Sequence, residues 1–282
     1  MSQAPSAAEL AAINQITATR QRALVEVFEA GFASNFQSPV VFLDNMQLQS
    51  PLSVRFYRRD FAYLSKQLYL EYQYRSWRGY NPEVLDRYNE VITKKLTNIN
   101  IMFTNTINRL EKLLQQNSVV MESSLFPNPV TVTVPVIASH ARAYFQLLSD
   151  LDRVNLLAGT ANLLGVIDSK QRTEAEFICK KAVRAFRSIL MNEVAKLYRE
   201  AKRVMEEQKN GGKVDPSMSA IVAEQGKEIA AFESSADEGS EADSALAIGN
   251  ADPSQLIDDA AAAAVAASAA TKGRKKAATT TT

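Results

Sequence analysis

The sequence predicts a mainly α-helical body that carries a short β-ribbon and ends in a low-complexity tail. Three observations predict it. Apolar residues recur at spacings of three and four over most of the first 205 positions, the mark of helices with one buried face. Two short runs, Leu52 to Tyr57 and Val130 to Val134, alternate instead, as strands do. Composition then changes near residue 206: of 12 Phe, 9 Tyr and 1 Trp, only Phe232 lies beyond it.

In chain order, Leu10, Ile13, Ile16, Leu24 and Val27 make residues 7–28 an amphipathic helix closed by Gly31, within an N-terminal segment of residues 1–35. Val40 to Leu43 and Leu52 to Tyr57 read as extended, separated by Asp44-Asn45 and broken by Pro51. Phe61, Leu64, Leu68 and Tyr72 mark a helix that ends at Trp77-Arg78-Gly79. A long one follows from Pro82, with Val84, Tyr88, Ile92, Leu96, Ile99, Phe103, Leu110 and Leu114 on its stripe. Asn81 suits its N-cap and Pro82 its first turn. After Pro127 and Pro129 comes the Val-Thr alternation to Val134. A helix from Ile137 stops near Gly165, and another restarts behind Asp168-Ser169 and runs to about Met205. Residues 36–205 thus form the body. Residues 206–282 read as a disordered tail, because they lack the apolar surface needed to offset ordering entropy.

Composition excludes much chemistry. One Cys and one His leave no disulfide, zinc-finger spacing or Cys/His nucleophile pair. No GxxxxGK[ST] or GxGxxG pattern is present, so no nucleotide cofactor is expected. His140 and Cys179 read as structural groups on helices. Asp150 and Asp152, two residues apart, point to different faces. Neither an enzyme, a cofactor, a metal nor a small-molecule ligand is expected. With no long apolar run and no cationic leader, neither a membrane span nor a secretory signal is expected, and the compartment expected is the cytoplasm.

Charge points to a partner. Residues 1–205 hold 25 Lys/Arg against 18 Asp/Glu, and residues 206–282 hold 7 against 13. In the body, Arg55, Arg58, Arg59, Lys66, Arg75 and Arg78 are interleaved with aromatic residues and only two acids, a pattern suited to tracking phosphates. Lys180, Lys181, Arg184 and Arg187 form a second basic stripe at helical spacing.

The strand–helix–Gly turn–capped helix order across residues 50–100 resembles the ribbon-helix-helix DNA-binding module. That resemblance implies a homodimer whose paired strands enter the major groove of double-stranded DNA. Ser53, Arg55 and Tyr57 would be its readers, flanked by Arg58 and Arg59. Arg78, Gly79, Tyr80 and Asn81 would form a phosphate-binding turn at a helix N-terminus. Val130 to Val134 competes for the ribbon. More widely, residues 48–189, through Arg109-Leu-Glu-Lys-Leu-Leu114, Tyr144-Phe-Gln-Leu-Leu-Ser-Asp-Leu-Asp152 and Val183-Arg-Ala-Phe186, resemble the AcaB-related proteins of conjugative plasmids and integrating elements. This implies a regulator that switches on transfer genes. The other reading left by an α-rich body with a tail is a non-enzymatic assembly protein of a conjugative element or phage.

Overall fold

The structure, a computed structural model, describes residues 7–117, 124–210 and 216–236. Strands β1 (Val41–Leu48) and β2 (Val130–Val136) form a two-stranded antiparallel ribbon within the chain. The Val-Thr alternation is therefore a strand as expected, and its partner is the segment that opens at Val41. Leu43 pairs with Val134 and Met46 with Val132, so β1 takes three steps where β2 takes two. The extra residue makes a bulge at Asp44-Asn45, where Asn45 adopts φ 57°.

The expected strand from Leu52 to Tyr57 is helical. Helix α2 (Pro51–Phe56) continues through a π-helical turn (Tyr57–Phe61) into α3 (Ala62–Arg75). The alternation of Leu52, Val54 and Phe56 is outweighed by a helix-start signal at Ser50-Pro51. The Ser53 N–H donates to Ser50 Oγ at 3.2 Å, and Pro51 sits in the first turn, where a missing N–H costs nothing. Asp152 reinforces the cap, its carboxylate accepting from the N–H groups of Gln49 at 2.9 Å and Ser50 at 2.6 Å. Asn155 Nδ2 donates to Ser50 Oγ at 3.1 Å. Ser53, Phe56, Tyr57, Asp60, Phe61, Leu64 and Leu68 are then buried, a helical series.

No ribbon made from residues 52–57 exists in this fold. The order strand, helix, Gly turn, capped helix is present with β1 in the strand's place. Gly79 turns the chain at φ 88°, a left-handed conformation that favours glycine. Asn81 Oδ1 accepts from the Glu83 N–H at 2.9 Å and caps α4 (Pro82–Gln116).

The core lies among α4, α5 (Ser139–Leu163) and α6 (Ser169–Asn210). Tyr88, Ile92, Phe103 and Leu114 of α4 meet Tyr144, Leu148 and Leu151 of α5 and Phe186, Leu190 and Val194 of α6, all essentially inaccessible to solvent. Behind Gly165, at φ 68°, the chain restarts through a reciprocal cap. The Gln171 N–H donates to Asp168 Oδ1 at 2.7 Å and the Asp168 N–H to Gln171 Oε1 at 3.0 Å, the role expected of Asp168.

Helix α1 (Ala7–Asn35) is broken at Glu29 (φ 70°, ψ 156°). A row of rings, Phe28, Phe32, Phe36 and Tyr69, fastens its end to α3, while its earlier turns pass beside β2 with Ile13 and Ile16 exposed. At the other terminus, residues 206–210 and 216–236 of the segment expected to be a tail are helical. Helix α6 continues to Asn210, and α7 (Pro216–Ala236) packs on it with Met218 and Val222 buried. A short aliphatic stripe holds α7 in place. Residues 237–282, with the alanine run and the Lys272–Lys276 cluster, lie outside the described residues. No helix among the described residues is long and apolar enough to cross a membrane.

Candidate nucleic-acid interface

The π-helical turn is the centre of the site. Its wider winding places Asp60 among the buried residues while the flanking cations stay at the surface. The Asp60 carboxylate is 3% exposed and is held from two sides. Arg59 donates Nε and Nη2 to it at 2.8 and 2.6 Å, and Arg187 of α6 donates Nη1 at 3.0 Å. The Arg59 guanidinium also lies 5.2 Å from the Phe56 ring centroid and that of Arg187 5.6 Å from Tyr63. These contacts fix both planes, and the two side chains remain 42% and 33% exposed. Hydrogen bonding to Asp60 raises the pKa of Arg59 further. Behind the trio the Tyr144 hydroxyl is buried with no hydrogen-bond partner among the described residues; burial first, and Asp60 next, push it far above the ordinary phenol range.

Arg59 and Arg187, distant in sequence, therefore meet on one carboxylate. Arg55 lies on the solvent side of α2, just before Arg59. Along α6, Lys180 and Arg184 precede Arg187 by seven and three residues, which puts all three on one helical face.

The structure divides the other expected site residues. Ser53 is inaccessible inside the Ser50–Asn155 network, so it is no reader. Tyr57 is buried, stacked on Phe61 with its edge to Phe145. Arg55 and Arg58 are exposed and form no ion pair among the described residues, but Arg58 turns away from α6 into a groove beside α1 and β2. Of the remaining cations, Arg75 is neutralised by Glu71 at 2.9 Å and Asp86 at 3.3 Å, and Lys66 sits 5.1 Å from the Phe32 ring centroid.

The expected phosphate turn is occupied from within. Tyr80 is buried and donates its hydroxyl to the Leu197 carbonyl at 2.9 Å. The Asn81 N–H donates to Glu200 Oε1 at 3.3 Å, so a carboxylate of the same chain holds the place assigned to a phosphate. Arg203, bonded to Glu200, keeps that carboxylate charged by lowering its pKa. Arg78 is exposed and its carbonyl accepts from Gln208. It also lies at the opposite end of α3 from Arg55, roughly 30 Å away at 1.5 Å per residue, and does not join the first cluster.

Sequence reasoning missed Asp60 and Asp152, one the counter-charge that gathers the arginines and the other the carboxylate that starts α2. The Ser50-Pro51 pair was the available signal for the helix start. Nothing local marks Asp60, because its second partner lies 127 residues away. Among the described residues no three His, Cys, Asp or Glu side chains gather as a metal site.

No protein-family model matches the chain, and no curated protein does. Among solved structures, a selenomethionine-containing crystal structure of AcaB from uropathogenic E. coli matches with a TM-score of 0.47 and 18% identity, over 80% of this chain and 98% of that one.

Proposed function

We propose that this chain binds double-stranded DNA and acts as a transcriptional regulator. The observation that carries the reading is that Arg59 and Arg187, from two helices distant in sequence, meet on Asp60, with Arg55 exposed one turn before Arg59 and Lys180 and Arg184 on the α6 face that leads to Arg187. Guanidinium groups held flat at a surface suit phosphate oxygens, and a series of them tracks a backbone without reading sequence.

Base reading in this proposal passes from residues 52–57 to the β1–β2 ribbon. A two-stranded ribbon fits the major groove, and the cross-strand pair Gln47 and Thr131 is exposed on it. The sequence resemblance of residues 48–189 to AcaB-related proteins points to conjugative-transfer genes as targets. A homodimer remains part of the proposal, since exposed Ile13 and Ile16 on α1 would gain by burial against a second copy. Light scattering of the purified chain measures this directly.

The test is footprinting on duplex DNA from the chain's own genetic neighbourhood in graded salt. One protected site that survives salt sufficient to release bulk DNA is expected. Uniform protection lost together at every position contradicts a sequence-specific regulator.

A second reading, an assembly protein, is favoured by one feature. Leu163, 85% exposed, stands beside exposed Leu164 and Leu125 at the end of α5, where the Ser124 and Thr160 hydroxyls meet. An apolar patch of this kind suits a protein partner.

A further inference from the structure

We propose that the groove between α1, the β-ribbon and the π-helical turn is a binding site for a small monoanionic amphiphile, a compact apolar molecule ending in a single carboxylate. The groove encloses about 400 Å³, within the range of small-ligand sites. Its walls carry Val27 of α1, Val54 of α2 and Val132 of β2, with Thr19 of α1 and Thr131 and Thr133 of β2 beside them, over a base of Leu48 and Phe61. The valines, Leu48 and Phe61 suit a hydrocarbon or aromatic body, and the threonines add only neutral hydroxyls along it.

The rim is the opposite in character. Arg22 of α1 and Arg58 of the π-helical turn reach the groove from two sides, and neither has an ion-pair partner among the described residues. This distinguishes Arg58 from its neighbour Arg59, whose charge is taken up by Asp60. Tyr57 also lines the groove and adds its phenol as a third donor; burial and the nearby Glu26 raise its pKa to about 12. A carboxylate accepts hydrogen bonds from all three groups, and the two guanidinium donors give the strongest of them. Glu26, also at the rim, limits the charge of the guest. With one acid facing two arginines the groove favours a single negative charge and disfavours a second.

The site is separate from the Asp60 surface, so its failure would leave the DNA reading intact. It shares β2 with the ribbon, and an occupied groove would be felt there.

The experiment is calorimetric titration of the full chain with decanoate below its micellar range, beside 1-decanol and decanedioate as neutral and dianionic controls. One decanoate per chain is expected, with each control weaker by about tenfold, the loss of one charge-assisted contact. Arg58→Ala should weaken decanoate by a similar factor and leave decanol unchanged. Val132→Trp should fill the groove and abolish binding. Should that variant misfold, Ala23→Trp blocks the same space from α1, outside the helical core. Equal affinity for decanoate and decanol, or decanoate binding untouched by both Arg58→Ala and the Trp substitutions, overturns the proposal. So does co-sedimentation with phosphatidylglycerol vesicles when free decanoate gives no heat, which would assign the arginines to a lipid surface.

Discussion

Asp152 shows how much one carboxylate can decide. Its two oxygens take the backbone N–H groups of Gln49 and Ser50, the point at which β1 gives way to α2. Replacing it with Ala leaves these donors without their partner, and Asp152→Ala should cost about 1–3 kcal/mol in a urea denaturation curve. Unchanged stability would mean that water serves the donors equally well. The DNA reading makes a paired prediction at the same scale. Gln47→Ala should relax base preference at one position of the site, because a side chain on the ribbon reads base edges. Arg187→Ala should weaken every sequence alike and lower the salt slope by about one phosphate contact. Titrations on matched and mismatched duplexes separate the two. If Gln47→Ala lowers affinity equally for all sequences, the ribbon is not the reader.

At the scale of elements, α7 is held by a polar seam as much as by its apolar stripe. Gln225 Nε2 donates to Gln67 Oε1 at 2.7 Å, and Gln67 in turn donates to Glu228, joining α7 to α3. Gly226 lets the helices approach, for a Cβ there would stand 2.5 Å from the Tyr198 hydroxyl oxygen. Gly226→Val should therefore loosen α7 and speed its amide exchange while α4, α5 and α6 stay protected. Adding Tyr198→Ala should restore it. Glu228 adds a pH dependence. Burial, followed by repulsion from Glu224, raises its pKa above the usual 4.5 against the opposing pull of Gln67 and Lys66. A raised pKa means that docked α7 holds its proton more tightly than released α7 does. Docking is thus strongest below about pH 4.5 and weakens as pH rises through the higher folded value. Amide exchange of α7, corrected for intrinsic rates, should show more protection at pH 5 than at pH 7, and Glu228→Gln should flatten that difference.

The same elements show what could be read from the chain. The long stripe of α4, the Asn81 and Asp168 caps and the Val-Thr strand were legible because each rests on local spacing or a local cap. Residues 52–57 were not, because a six-residue alternation also satisfies a helix once Phe56, Tyr57 and Phe61 find a core, and the cap that decides the matter is completed by Asp152 about a hundred residues later. Helix α7 was hidden by composition. Its few apolar residues suffice because α6 already presents a surface to receive them.

For the whole molecule, the fold turns a weakly basic composition into a directed one. Arg75, Arg203 and Arg20 are consumed by ion pairs with Glu71, Glu200 and Asp44, whereas Arg59 and Arg187 share a single buried acid and Arg55 is exposed one turn before Arg59. The central claim is that this surface holds the phosphate backbone of duplex DNA. The most direct test measures affinity for a duplex as a function of salt, for the parent chain and for the triple variant Arg55→Ala, Arg59→Ala, Arg187→Ala, after circular dichroism has shown the variant folded. Log affinity should fall linearly with log salt, less steeply in the variant by about three phosphate contacts, with weaker binding at every salt concentration. Superimposable lines for parent and variant would contradict it.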